Sequence, residues 1–344
     1  MKNQLFKQGL AVCLMLLMAG MASAQDTRNV TNRGTTAAEF LSIPVGARST
    51  GMGNAVTAQV DDLSSIYWNP AGLTSLENPS LSFETAKWIN QINFNYGAFS
   101  TPLAGGTLGV GMTSIRTPEM EVITVEEQDG TGETFNAASY AVSVSYARKL
   151  TDRFSIGGTA KLVSERIWHS SANGVAIDIG TLFVTPFRGI RLGAAITNFG
   201  TKLQMGGDDL LITTDIDQNA EGNNESQRGF LRTDKFGMPL MMRIGLAGEV
   251  IKTKQARLTL AVDALSPNNS EQFLNLGAEL GLLGDLVILR GGYNELLMTD
   301  SVRGLSAGAG IRYRFGGINL GVDYAYEAQK YFNAINRLTV SMKL

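Results

Sequence analysis

His169 is the only histidine of the 344-residue chain. It stands beside Ser170 and Ser171 in RIWHSSANG, which formally supplies two members of a Ser-His-Asp set. Adjacent residues rarely reach triad geometry, so hydrolysis is disfavoured. A lone histidine also removes His-pair metal motifs. EEQDGTGE (Glu126 to Glu133) could offer oxygens to Ca²⁺, but it lacks the full EF-hand pattern, and a solvated acidic loop is the simpler reading. GTLGVG (106–111) has glycine spacing that resembles a dinucleotide loop, yet it lies inside an alternating apolar run with no helix after it. No catalytic residue, bound metal or cofactor is expected, and the protein is not expected to be an enzyme.

The remaining polar chemistry clusters before residue 79. DDLSSIYWNPAGLTSL (61–76) holds paired acids, two aromatics and an Asn-Pro step. Pro70 lacks an N–H and has a fixed φ, which suits a sharp chain reversal. Asn69, biased away from the helical region by that proline, can bond nearby backbone with its amide. Ser64 and Ser65 suit a short helical turn. These residues need a scaffold, and the rest of the chain supplies one.

From about Pro79 onward the pattern is strict alternation. Tyr140, Val142, Val144 and Tyr146 share one face, while Ala141, Ser143, Ser145 and Ala147 share the other. Fourteen such segments are predicted: 80–88, 91–100, 105–116, 138–149, 153–165, 173–185, 189–199, 239–250, 255–264, 272–281, 285–295, 304–315, 317–327 and 335–344. Most have the length that a tilted strand needs to cross a bilayer. Connections after even-numbered strands are short. Most after odd-numbered strands are longer, notably 117–137 and 200–238, with the first hairpin an exception. Alternation alone also fits a soluble sandwich. The sorted loop lengths favour an outer-membrane barrel, which keeps short turns on one side.

In such a barrel the apolar parity faces lipid. Asp178, Arg191, Arg243, Glu249, Asp263, Glu279, Arg290, Arg312, Arg314 and Asp323 then point inward, among many Gly, Ala, Ser and Thr that leave room for water or a folded insert. Only segment 285–295 is ambiguous, because LVIL is apolar on both parities. Trp88, Tyr96, Tyr140, Tyr146, Phe187, Tyr313, Phe315, Tyr324 and Tyr326 are candidates for interfacial girdles.

Residues 1–24 read as a signal peptide, with Lys2 and Lys7, an apolar core and Ala22-Ser23-Ala24 before a mature N-terminus at Gln25. An uncleaved anchor is the alternative. The single cysteine, Cys13, falls in this segment, so no disulfide is expected. The remaining chain has 27 basic and 31 acidic residues and no basic tract, which disfavours nucleic acid. Outer-membrane lipid is the expected surroundings.

The segment GTTAAEFLSIPVGARSTGMGNAVTAQVDDLSSIYWNPAGLTSL resembles the N-terminal signature of the PorV/PorQ family and, more distantly, of the FadL family of outer-membrane proteins. The matching residues are Gly46-Ala47-Arg48, Gly51-Met52-Gly53, Ala55, Asp61-Asp62 and Tyr67-Trp68-Asn69-Pro70-Ala71-Gly72-Leu73. The resemblance implies an all-β, 14-stranded antiparallel transmembrane β-barrel (79–344) with an N-terminal plug segment (25–78) in the lumen. Asp61, Asp62, Tyr67, Trp68, Asn69 and Pro70 would belong to the plug, with Arg243, Arg312 or Arg314 as lumen partners for the two aspartates. It also implies one of two functions. The first is a type IX secretion barrel that binds and shuttles cargo with C-terminal sorting domains or meets the translocon, with loops 117–137 and 200–238 as the partner surface. The second is FadL-like transport of a hydrophobic small molecule, for which Phe199, Leu203, Met205, Phe230, Leu231, Phe236 and Met238 would form a rim pocket.

Overall fold

The computed structural model describes residues 32–215 and 227–344. The signal peptide expected over 1–24 lies outside the described residues, as does part of the 200–238 loop. Fourteen long strands form the wall: β1 Ser80–Lys87, β2 Asn93–Leu103, β3 Gly106–Arg116, β4 Ala137–Thr151, β5 Phe154–Ile167, β6 Ser170–Val184, β7 Arg191–Gly200, β8 Met241–Lys252, β9 Ala256–Pro267, β10 Phe273–Leu282, β11 Val287–Leu296, β12 Arg303–Phe315, β13 Ile318–Gln329 and β14 Ile335–Lys343. Each of the fourteen predicted segments overlaps one of them. Every strand pairs antiparallel with its sequence neighbours, and β14 returns to β1 with Ser80 opposite Lys343 and Phe83 opposite Val340. The sheet is therefore closed, which leaves no open edge.

The side-chain period of two decides which residues face outward. Along β1, Ser80, Ser82, Glu84 and Ala86 are buried while Leu81 and Phe83 are exposed. Leu162, Ile177, Ile179, Ile244 and Ile311 are 54–62% exposed on the outer face. The inner face carries the buried Asp178, Arg243, Asp263, Glu279, Arg290 and Asp323. An apolar outside around a charged inside is the inverse of a soluble barrel and matches a lipid-facing wall. The ambiguous β11 resolves with Ile288 and Arg290 inward and Leu289 outward.

The turns follow local chemistry. Ala104-Gly105 and Gly316-Gly317 take positive φ at both positions, as tight two-residue hairpins require. These turns, and those at 152–153 and 253–255, lie at one end. Loops 117–136 and 201–240 lie at the other, and each carries short two-stranded ribbons of its own. The sorting has a second exception: β6 begins at Ser170, so β5 and β6 are joined by Trp168-His169 alone, where a longer loop was expected. Two of the expected girdle aromatics turn inward. Tyr96 is buried, with its hydroxyl donating to the Leu63 carbonyl at 2.9 Å, and Trp88 packs against Arg337 and Arg303.

The lumen is filled by the N-terminal segment. It descends from Thr36, which bridges Gly237 in the long outer loop, to Leu76 just before β1. Its own elements are short: 3-10 turns Glu39–Ser42 and Pro70–Ser75, helix α1 Ala47–Gly51 and helix α2 Ser65–Trp68. Val45, Met52, Ile66, Trp68 and Leu73 are fully buried there and form the core of the molecule. The hydrophobic core thus lies between the plug and the small inward residues of the wall.

Candidate functional site

The plug, or hatch, is pinned to the wall at three levels. The first is the start of α1, whose opening N–H groups have no helical partner. Gly46 N–H donates to Glu84 of β1, and Ala47 N–H donates to Thr339 Oγ1 of β14 at 2.9 Å. Glu84 is held in turn by Arg337 at 2.8 Å, with both side chains fully buried. The next residue, Arg48, reaches Glu279 of β10 through Nε at 2.9 Å and Nη2 at 3.2 Å. Its third nitrogen, Nη1, pairs with Asp61 and Asp62.

Glu279 is the centre of a chain of alternating charges. It also accepts from Arg257 at 2.9 Å and from Arg290 Nε at 2.9 Å. Arg290 continues to Asp323 at 2.7 Å, and Asp323 to Arg312 at 2.7 Å. The expectation that Asp61 and Asp62 pair with Arg243, Arg312 or Arg314 is corrected here. Arg312 is engaged by Asp323, Arg314 bonds Asn319 at the exposed rim, and the partner of both aspartates is Arg48. Arg48 lies within the hatch itself, close enough in sequence to fold against them locally. Asp62 Oδ1 additionally accepts from Ser64 N–H at 2.8 Å, which caps the turn leading into α2.

The second level is the reversal at 52–57. Val56 and Thr57 N–H both donate to Asp263 Oδ2 at 2.8 Å, and Asn54 Nδ2 donates to Asn294 at 2.6 Å. The third is the Asn-Pro step. Asn69 Oδ1 accepts from Ala71 N–H at 3.2 Å, and Nδ2 donates to the carbonyls of Thr57 at 2.8 Å and Thr181 at 3.0 Å. Asn69 thus ties two hatch segments to the β6 wall, while Pro70 opens the following 3-10 turn at its first position. Arg243 lies over the rings of Tyr67 (5.4 Å) and Trp68 (5.1 Å) and donates to Thr197 at 2.9 Å. Trp68 Nε1 donates to the Val45 carbonyl at 2.8 Å.

Inward glycines form the sockets. A Cβ at Gly193 would overlap the Thr57 carbonyl, one at Gly277 the Met52 carbonyl, one at Gly180 the Asn69 side chain, and one at Gly157 the Pro70–Ala71 peptide. The small inward residues therefore make room for hatch backbone.

Below the hatch, at the short-turn end, lies a cavity of about 310 Å³ of mixed lining, where Arg48, Glu279 and Asp323 meet apolar Leu63, Leu76 and Ile288. The proposed rim residues do not converge on one pocket. Leu203 and Met238 are buried against Gly174, and Met205 packs partly buried beside the core. Phe199, Phe230, Leu231 and Phe236 are 44–69% exposed. At the outer end Asp209 receives His169 Nδ1 at 3.0 Å, His169 N–H at 2.9 Å and Ser170 Oγ at 3.0 Å. Both side chains bond the same carboxylate, so this is a pin between hairpin and loop and not a Ser–His relay. Slight desolvation pushes the Asp209 carboxyl up, but the bonds from His169 and Ser170 outweigh it and hold it below the usual carboxylate range. Among the described residues no group of three or more His, Cys, Asp or Glu could hold a metal ion.

The inward parity of Glu279 and Arg290 was legible in the sequence, but Arg48, Glu84 and Arg337 were missed as site residues. One signal was available: Arg48 is the only Lys or Arg between Arg33 and Lys87, a lone cation ahead of paired acids.

A family model described as an uncharacterised protein family (UPF0164) matches residues 16–176. No curated protein matches the chain. Among solved structures, the CymD monoaromatic hydrocarbon channel aligns with a TM-score of 0.56 at 13% identity, over 87% of this chain and 96% of that one. The Pseudomonas putida toluene transporter TodX gives 0.54 at 12% identity, over 87% and 97%. A Pseudomonas aeruginosa FadL homologue gives 0.51 at 12% identity, over the same shares. At such identities the likeness is one of fold: the chain is a closed fourteen-stranded barrel of the kind found in FadL-type outer-membrane channels.

Proposed function

We propose that the protein is an outer-membrane channel for a small apolar molecule, gated by its hatch, with no catalytic role. The observation that carries this reading is the hatch in its barrel: a continuous segment closes the lumen and is held at α1 by ion pairs and hydrogen bonds to side chains. Those polar groups can bond water once the hatch is displaced, so unseating it costs a finite amount, on the order of a few kcal/mol. The barrel around it has the fold of structures described as a toluene transporter and a monoaromatic hydrocarbon channel. In this reading the short turns face the periplasm, the chain is exported through residues 1–24, and the mature protein begins at Gln25.

The test is gentle extraction from outer membranes, followed by mass spectrometry of co-purifying lipids and proteins and by uptake of labelled toluene and a labelled long-chain fatty acid into proteoliposomes. A monomer that carries a stoichiometric apolar ligand and speeds uptake of one probe is the expected result. Recovery in the soluble fraction, or uptake no faster than in empty liposomes, would overturn it.

A second reading, a docking barrel of the type IX secretion system in the manner of PorV/PorQ proteins, is favoured by one feature. Phe230 and Leu231 stand exposed on the outer ribbon Leu211–Thr214 with Gln227–Phe230, where a cargo or translocon surface could cover them. Co-purification of a very large barrel, or of cargo sharing a C-terminal sorting domain, would select that reading.

A further inference from the structure

The hatch leaves a space beneath it. The cavity of about 310 Å³ at the short-turn end is roofed by Gly46, Arg48 and residues 61–64 of the hatch and walled mainly by β1, β13 and β14. Its lining divides by chemistry. Leu63, Leu76 and Ile288, all buried, supply an apolar side. The β1–β14 pair supplies a hydroxyl side, where Ser82 stands opposite Ser341, with Thr339 two residues earlier. Thr339 Oγ1 accepts from Ala47 N–H at 2.9 Å, and Ser341 Oγ reaches the Gly321 carbonyl at 3.5 Å. Ser82 is only 8% exposed, and its hydroxyl has no hydrogen-bond partner among the described residues. A buried hydroxyl without a partner is unfavourable, so the site favours a molecule that brings one.

Charge narrows what that molecule is. Six carboxylates line the cavity against four cations, Lys343 at the end of β14 included, so an anion is disfavoured. Each of the six already meets a guanidinium, from Asp61 and Asp62 on Arg48 to Glu84 on Arg337, so an ammonium would have to displace one. A neutral molecule with an apolar body and a hydroxyl at one end meets neither obstacle. An apolar cavity of about 150 Å³ holds benzene, so this one has room for roughly two fused rings.

We propose that this cavity is a seat for a neutral hydroxylated aromatic of one or two rings, held between the hatch and the short-turn mouth. The ring lies against Leu63, Leu76 and Ile288, and the hydroxyl forms a hydrogen bond with Ser82 Oγ. The proposal rests on the channel reading and narrows its cargo from apolar molecules in general to those carrying one hydroxyl.

The test is equilibrium binding to the full chain in nanodiscs, followed by the fluorescence of 2-naphthol, naphthalene and 2-naphthoate, with empty nanodiscs as the blank. One saturable site is expected for 2-naphthol, roughly two- to tenfold tighter than for naphthalene, the net effect of one hydrogen bond. No saturable site is expected for 2-naphthoate. S82A should bring 2-naphthol to the naphthalene level and leave naphthalene unchanged, and I288W, which fills the cavity, should abolish binding of both. Heat-modifiable migration on gels reports that each variant still folds as a barrel. Equal affinities for 2-naphthol and naphthalene, a preference that survives S82A, or 2-naphthoate binding as tightly as 2-naphthol would overturn the proposal. Uptake into proteoliposomes separates this outcome from failure of the channel reading. If 2-naphthol saturates the site yet no probe crosses faster than in empty liposomes, the channel reading fails and the binding site stands. If naphthalene and 2-naphthol cross equally fast and S82A changes neither, the seat fails and the channel stands.

Discussion

Replacing Arg48 with methionine keeps most of the side-chain stem and removes the charge that joins hatch to wall. The two bonds to Glu279 are charge-assisted and buried, each worth about 1.5–3 kcal/mol. The contacts with Asp61 and Asp62 are more than a third exposed on the aspartate side and add roughly 0–1 kcal/mol. Glu279 is not stranded by the change, because Arg257 and Arg290 still compensate it. The loss should therefore lie near the lower end, about 3 kcal/mol, which shifts the ratio of seated to displaced hatch by roughly 10²-fold. In planar bilayers the R48M protein should conduct for a far larger share of time than wild type, and amides of 46–62 should lose hydrogen-exchange protection while the β-strands keep theirs. E279Q removes the one acid shared by Arg48, Arg257 and Arg290, but each keeps another carboxylate partner, so its cost should be similar, at about 3 kcal/mol. If R48M retains wild-type conductance and wild-type protection of 46–62, the ion chain does not hold the hatch. Effects of R48M and E279Q that simply add would likewise refute the coupling claimed here.

Three further outcomes are expected. N69A leaves the Thr57 and Thr181 carbonyls without their buried donor and removes the Ala71 cap, so exchange protection of 57–76 should fall by about 2–4 kcal/mol; unchanged protection would show the Asn-Pro step to be a passive turn. G193A and G277A each push a methyl into hatch backbone and should cost about 1–3 kcal/mol of hatch seating with the barrel intact, read by limited proteolysis after residue 48, whereas G97A, with open space around its Cβ, serves as the neutral control. The pin at Asp209 has a pH sign. A carboxyl held below its unfolded range contributes stability above that range and loses it as pH falls through the lower, folded value. Exchange protection of the His169 amide, whose N–H donates to Asp209, should hold steady down to the ordinary carboxylate range and fall only below it, and D209N should remove that step.

Much of the wall was legible because its signal is local. A strand alternates faces residue by residue, so YAVSVSYA or INLGVDYAYE fixes its own parity without knowledge of its partners. The same parity placed Asp178, Asp263, Glu279 and Arg290 inside. The ends were less legible. Trp168-His169 forms a tight turn because β5 and β6 pair as far as Ile167 and Ser170, a pairing that polar SSANG does not advertise. Trp88 and Tyr96 read as girdle aromatics until the hatch offered them partners inside.

The sequence by itself determined a barrel of fourteen strands, an inward charged face, small inward residues that leave room, and a proline-marked segment ahead of the wall. Each follows from periodicity or from the backbone limits of one residue. Only the tertiary structure decided who meets whom. Arg48 and Glu279 stand 231 positions apart, and several inward guanidinium groups of equal chemistry were available to Asp61 and Asp62. Choosing among them requires the height at which each strand holds its side chain and the path of the hatch between them. Those are set jointly by the stagger of the whole closed sheet, which no single stretch of sequence encodes.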